Sequence, residues 1–185
     1  MMTPSREDCL RLLERRGVPQ HVIVHSLQVD RVARYLGQEL NERGQTLDLK
    51  LVEAASLLHD ITKIDGLDSG ENHAASGARL LRDLGYPRVA QVVEQHIVLP
   101  GGPPLTRVTE EELVNYSDKR VMHDRIVTLQ ERFDDLQERY GRRPGSHAFV
   151  QAALERARET ERKIFCRIAT RSEELSLRLE GCPRP

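Results

Sequence analysis

The sequence predicts an all-α protein, a compact helical bundle with a long amphipathic helix toward its C-terminus. Apolar residues recur at three- and four-residue intervals along most of the 185 positions. Alternation of Val, Ile and Thr, the signature of strands, is rare, and aromatic residues make up only 4% of the chain. Gly17, Pro19, Gly85 and Pro87 fall between periodic segments, where helices stop and start.

The first helix runs from Ser5, placed to cap it, to Arg16, with Leu10 and Leu13 on one face and Gly17 as its stop. A second extends from Pro19 to about Asn41. Val22, Val29, Val32, Ala33, Leu36 and Leu40 form its apolar stripe, and His25 falls in line with them. The third, roughly Leu49 to Ile61, is apolar on nearly every side, which makes it the buried centre of the bundle. "TKIDGLDSG", Thr62 to Gly70, reads as a loop. A fourth helix starts near Glu71 with His73 in its first turn, takes Leu80, Leu81 and Leu84 as core residues and closes at Gly85. The fifth begins about Pro87 and aligns Val89, Val92 and Val93 with His96, until "LPGGPP" (Leu99 to Pro104) breaks it. The sixth opens on the capping-box pattern "TEEE" (Thr109 to Glu112) and carries Leu113, Val114, Asp118 and Val121 on one stripe.

Beyond the break "YGRRPGS" (Tyr140 to Ser146), a helical extension reaches about residue 180. Its apolar members Val150, Leu154, Ala157, Ile164 and Ile168 are interrupted by Glu161. The expectation is that it packs on its own domain; pairing into a homodimer is the alternative. No Pro/Gly/Ser-rich linker divides the chain, so a single domain over residues 1–185 is expected.

Lys and Arg total 28 against 29 Asp and Glu, so no net field draws the protein to nucleic acid or to an anionic membrane. A small solute is the expected partner. The start "MMTPSREDCL" has no apolar signal region, and no apolar run approaches the ~20 residues that span a bilayer, which predicts a cytoplasmic protein. Cys9, Cys166 and Cys182 form no CxxC pair and suggest neither a disulfide framework nor a thiolate zinc site.

Against this background "LLHDITKID", Leu57 to Asp65, places His59, Asp60 and Lys63 at the end of the most apolar helix. His59 follows Val52 and Ala55 by seven and four positions and points inward with them. Asp60, rotated ~100° from it, reaches the same region, and an inward carboxylate is costly unless it meets a cation or a metal. Alone, each buried His is readily a hydrogen-bonded core residue, and Asp118 has Arg125 as a simple salt-bridge partner. Taken together, five helices present His or Asp on their inward faces, and imidazole with carboxylate suits a divalent metal such as Mn, Fe, Zn, Ni or Mg.

The order of these residues resembles the HD-domain metal-dependent phosphohydrolases: a His, an adjacent His-Asp pair and a distal Asp, here His25, His59-Asp60 and Asp118. "HDITK" resembles the family's HD-x-x-K, and "NHAASGARLLRDLG" followed by "VEQHIVL" resembles the segments that supply two further His ligands in two-metal members. The likeness covers roughly Gln20 to Arg132. It implies an HD-type bundle, one or two divalent metal ions held by His25, His59, Asp60, His73, His96 and Asp118, Asp60 bridging where there are two, and Lys63 beside the phosphate. Gly85-Tyr86-Pro87 spells the GYP of HD-GYP phosphodiesterases but precedes His96 instead of following an HHE element, so it marks a helix junction.

A divalent ion makes water nucleophilic near neutral pH and offsets charge on phosphoryl oxygens. The resemblance therefore implies hydrolysis of a phosphoester or phosphoanhydride in a nucleotide or other small phosphorylated metabolite, with Asp60 and Lys63 as the catalytic pair. The alternatives are a non-catalytic sensor of a phosphorylated ligand and a purely helical scaffold. Arg107, Lys119, Arg120 and Arg125 are further candidates for phosphate contacts, although a run such as Lys119-Arg120 usually marks a solvated face. His21 and His123 read as surface or supporting groups, and His147 as unrelated. "LPGGPP", following His96, is expected to border the pocket as a rigid loop.

Overall fold

The computed structural model describes residues 2–100, 106–141 and 145–180. It is all-α apart from one short hairpin. The first four helices are α1 (Arg6–Arg15), α2 (Gln20–Asn41), α3 (Leu49–Leu58) and α4 (Lys63–Ser69), followed by α5 (His73–Asp83), α6 (Pro87–Glu94) and α7 (Glu110–Lys119). The strands β1 (Val121–Met122) and β2 (Arg125–Ile126) precede α8 (Leu129–Tyr140), α9 (Ser146–Phe165), a 3-10 turn at Ser172–Glu174 and α10 (Leu175–Glu180).

The expected centre is the observed one. Leu51, Val52, Ala54, Ala55, Leu57 and Leu58 of α3 are all buried, and α3 packs against α1, α2, α6 and α7. Truncating either Leu57 or Leu58, both wholly buried, would cost about 2–5 kcal/mol in lost transfer energy and cavity formation. The chain approaches closely at Gly37 of α2, where a Cβ would stand 2.7 Å from Cδ2 of Leu49 on α3. Capping boxes form at Ser5 with Asp8, Thr109 with Glu112 and Thr128 with Glu131.

Several sequence expectations change. Thr62 to Gly70 is not all loop: α4 occupies Lys63–Ser69. Leu84 is 44% exposed and leaves the core to Leu81. The sixth helix ends at Lys119, so Val121 belongs to β1, paired with Ile126 across a hairpin whose tip holds His123 at φ +58°. Helix α8 was not anticipated at all, and the C-terminal extension is two helices, not one. Helix α9 lies against α7 and α8, with Val150, Leu154, Ala157 and Ile164 buried. Glu161 does not interrupt that packing: its Oε2 accepts from the Tyr116 hydroxyl at 2.6 Å and faces Arg120 at 3.3 Å. Among the described residues no helix is long and apolar enough to cross a membrane.

Candidate metal centre

All six sequence-predicted ligand residues meet at one place, and helix ends deliver most of them. His25 comes from the body of α2. His59 ends α3 and Asp60 follows it, so the pair sits in the turn beyond the helix rather than within it. His73 is the first residue of α5, started by the Asn72 cap on the Ala74 amide. His96 lies just past the end of α6, and Asp118 is in the last turn of α7.

Two trios result, His25 with His59 and Asp118, and Asp60 with His73 and His96; in each, one ligand atom per residue lies within 4.8 Å of the others. Asp60 touches both. Its Oδ2 lies 3.4 Å from Nε2 of His59 and 3.9 Å from that of His25, whereas Oδ1 lies 3.2 Å from Nε2 of His73 and 3.7 Å from that of His96.

Backbone carbonyls set the tautomers. Nδ1 of His59 is 2.7 Å from the Ser56 carbonyl, Nδ1 of His96 is 2.6 Å from that of Val93, and Nδ1 of His25 is 3.0 Å from that of His123. A carbonyl only accepts, so each Nδ1 carries the proton and each Nε2 turns a lone pair inward. Nε2 of His59 is buried with no hydrogen-bond partner. At short range His25 Nε2 lies 3.1 Å from Asp118 Oδ1, and His96 Nε2 lies 3.2 Å from Nε2 of His73, whose tautomer no carbonyl fixes. Such a set is stable only with positive charge among it, and the donor types fit divalent ions.

The electrostatics express the same demand. Without an ion a second proton on His59 would meet it: burial alone would pull His59 down, but the carboxylates of Asp60 and Asp118 overcome it and push its pKa up to about 10, so an ion bound there would displace the Nε2 proton. Burial and the neighbouring His59 charge lower His96 to about 3. Burial opposes ionisation of Asp60 and Asp118, yet their cationic neighbours, His59 above all for Asp60 and Lys119 for Asp118, hold both well below the usual carboxylate range.

Among the other candidates, Lys63 is at the site, with Nζ 2.6 Å from Asp60 Oδ2. Lys119 and Arg120 are not a solvated face: both are buried. Lys119 donates to the His96 carbonyl at 2.7 Å and lies 3.4 Å from Asp118 Oδ2. Arg120 is structural, held by the Tyr116 hydroxyl and the Val127 and Ser172 carbonyls. Arg125 does not pair with Asp118; it sits exposed on β2. Arg107 donates to Thr46, away from the site. His21 and His147 are exposed, and of His123 only the backbone carbonyl serves the cluster.

The sequence reading missed Asn115, whose Nδ2 donates to the carbonyls of Gln95 and His96 and so ties α7 to the ligand-bearing turn. It also missed Arg132 of α8. That guanidinium lines a cavity of about 480 Å³ that opens from the cluster, together with Asp60, Lys63, His73, Asp118 and Lys119. Ile97 borders the same cavity, while residues 101–105 of the "LPGGPP" loop lie outside the described residues.

Residues 22–135 match the family model described as the HD domain. Over 151 residues the protein is 31% identical to tRNA (cytidine(56)-2'-O)-methyltransferase of Thermoplasma volcanium, an alignment covering 74% of this chain and 42% of that one. The protein of the same name from Picrophilus torridus is 29% identical over 146 residues, covering 71% and 40%. Ribonuclease Y of Aquifex aeolicus is 36% identical over 77 residues, covering 42% of this chain and 13% of its own. The chain thus spans less than half the length of these curated relatives. No solved structure matches it.

Proposed function

Because the chain belongs to the HD-domain family, we propose that it is a metal-dependent phosphohydrolase acting on a phosphoester or phosphoanhydride of a nucleotide or other small phosphorylated metabolite. One observation carries the reading: the inward Nε2 atoms of His25, His59 and His96 and both oxygens of Asp60 converge at the cationic end of a cavity large enough for a small metabolite.

His25, His59 and Asp118 would hold one divalent ion and His73 and His96 a second, with Asp60 shared between them. The ions, when bound, supply a water nucleophile near neutral pH and charge compensation for the phosphoryl group. Asp60 orients the site by presenting one oxygen to each trio. Lys63, on the first turn of α4, brings an ammonium to the same oxygen-rich corner and offsets charge on a phosphate arriving through the cavity. Lys119 adds a second cation, positioned by the His96 carbonyl. Neither lysine carries a proton to or from the reacting group in this scheme; both act through charge.

The Ribonuclease Y relatives favour a second reading, cleavage of an RNA phosphodiester. A cavity of about 480 Å³ suits a single small ester better than a strand. Turnover should be assayed with Mn²⁺ on protein purified without chelator, against an aryl phosphate, a panel of mononucleotides and a short single-stranded RNA, with Asp60→Ala as control. Release of phosphate from the small esters, lost in the variant, is the expected result. RNA cleavage alone would replace the first reading by the second, and no turnover by metal-loaded protein would remove both.

A further inference from the structure

The cavity beside the ligand cluster changes character along its length. Its inner end is charged: Lys63 and Lys119 lie beside the carboxylates of Asp60 and Asp118, and Arg132 lines the same cavity. Lys119 is a buried ammonium, and Arg132, although its Nη1 bonds Asp135 at 3.1 Å, has a buried Nε with no partner. Three cations line one small space in which Asp60 and Asp118 belong to the ligand cluster and Asp135 is shared between Arg132 and Arg139, which describes a place for an anion.

The outer end is the opposite. Phe133, Leu136 and Tyr140 of α8 face Phe149, Val150 and Ala153 of α9. The whole chain has three phenylalanines and four tyrosines, and three of these seven line this one cavity. Phe149 and Tyr140 are 57% and 42% exposed on its walls, an arrangement that leaves aromatic surface in water until something apolar covers it. Among the described lining side chains at this end only Tyr140 and Ser146 offer a polar group, so a hydroxyl-rich sugar would lose water without finding partners among them.

We propose that the cavity takes a phosphorylated compound whose organic part is one compact aromatic or fused-ring group, its phosphate against Lys63, Lys119 and Arg132 and its ring between α8 and α9. This substrate class rests on the hydrolase reading for its chemistry but not for its binding. Offset or edge-to-face contact with Phe133, Tyr140 and Phe149 selects a flat ring, and the charged inner end fixes which way round it lies.

The test uses phosphonates, which have no ester to cleave. Mn²⁺-loaded full chain is titrated calorimetrically with benzylphosphonate and with methylphosphonate. Burying a ring predicts at least about tenfold tighter binding of the benzyl compound. Ala153→Phe, which fills the outer end, should cut that preference below about threefold with bound Mn²⁺ at the wild-type level. Phe149→Ala, at an exposed position that tolerates truncation, should weaken the benzyl compound in the same direction. Equal affinity of the wild type for the two compounds, binding of neither, or a preference that survives Ala153→Phe overturns the inference. If benzylphosphonate is preferred but benzyl phosphate is not hydrolysed, the hydrolase reading fails and the ring site stands. Hydrolysis with equal affinities has the reverse meaning.

Discussion

Nζ of Lys63 lies 2.6 Å from Oδ2 of Asp60, the carboxylate oxygen that also faces His59 and His25. An ion held by His25, His59 and Asp118 would compete with the ammonium for that oxygen and leave Lys63 free for the cavity it already lines. Lys63→Met should therefore lower kcat/KM about 100-fold without lowering bound metal. Steady-state kinetics alongside elemental analysis checks this; a variant that loses its metal would make Lys63 a structural partner of Asp60 instead.

Metal stoichiometry should divide along the two trios. Wild-type protein is expected to hold about two equivalents, His73→Ala about one, and Asp60→Ala almost none, because Asp60 alone reaches both sides. Gly66→Ala should behave like a weakened His73→Ala. A Cβ at Gly66 would stand 2.8 Å from the Glu71 carbonyl and 3.1 Å from Cβ of His73, so α4 and the start of α5 must separate. Elemental analysis after gel filtration reads all three variants.

Glu161→Ala should destabilise the fold by about 2–4 kcal/mol in urea melts. It strips the Tyr116 hydroxyl of its acceptor and Arg120 of the carboxylate it contacts, both of them buried. Metal content should remain at the wild-type level, since neither group touches a ligand residue's side chain.

Asp30 gives stability a pH dependence separate from the metal site. Burial raises its carboxyl from 3.8 to about 6, against the opposing pull of Arg6 2.5 Å away. A folded-state pKa above the unfolded one favours folding at low pH, a contribution fully present below about 4 and lost as pH rises through about 6. Asp30→Asn removes that term. Its stability relative to wild type, measured in chelator at pH 4 and pH 7, should rise by about 2 kcal/mol over the interval.

The helices and the ligand residues were legible for the same reason: an ionisable group on an otherwise apolar stripe is conspicuous, as His25 is among the valines of α2. What escaped was set by contacts outside any one stripe. Lys119 looked solvated beside Arg120, but the His96 carbonyl from a distant turn holds its ammonium inside. Helix α8 does carry a sequence signal, the T-x-x-E of Thr128 and Glu131 with Leu129, Phe133 and Leu136 at helical spacing. The two-residue strands are too short for any periodicity to register. Helix α4 was disguised by Gly66, whose missing side chain is what admits the approach of Glu71 and His73.

His25 and Asp118 stand 93 positions apart along the chain, yet their side chains meet. A growing polypeptide cannot complete the trio of His25, His59 and Asp118 while α7 is still within the ribosome, so an ion held there would follow synthesis rather than guide it. The early helices must then gather without it, on apolar contacts and on ion pairs such as Arg6 with Asp30 and Glu53, while five of the six candidate ligand residues wait for Asp118 to arrive.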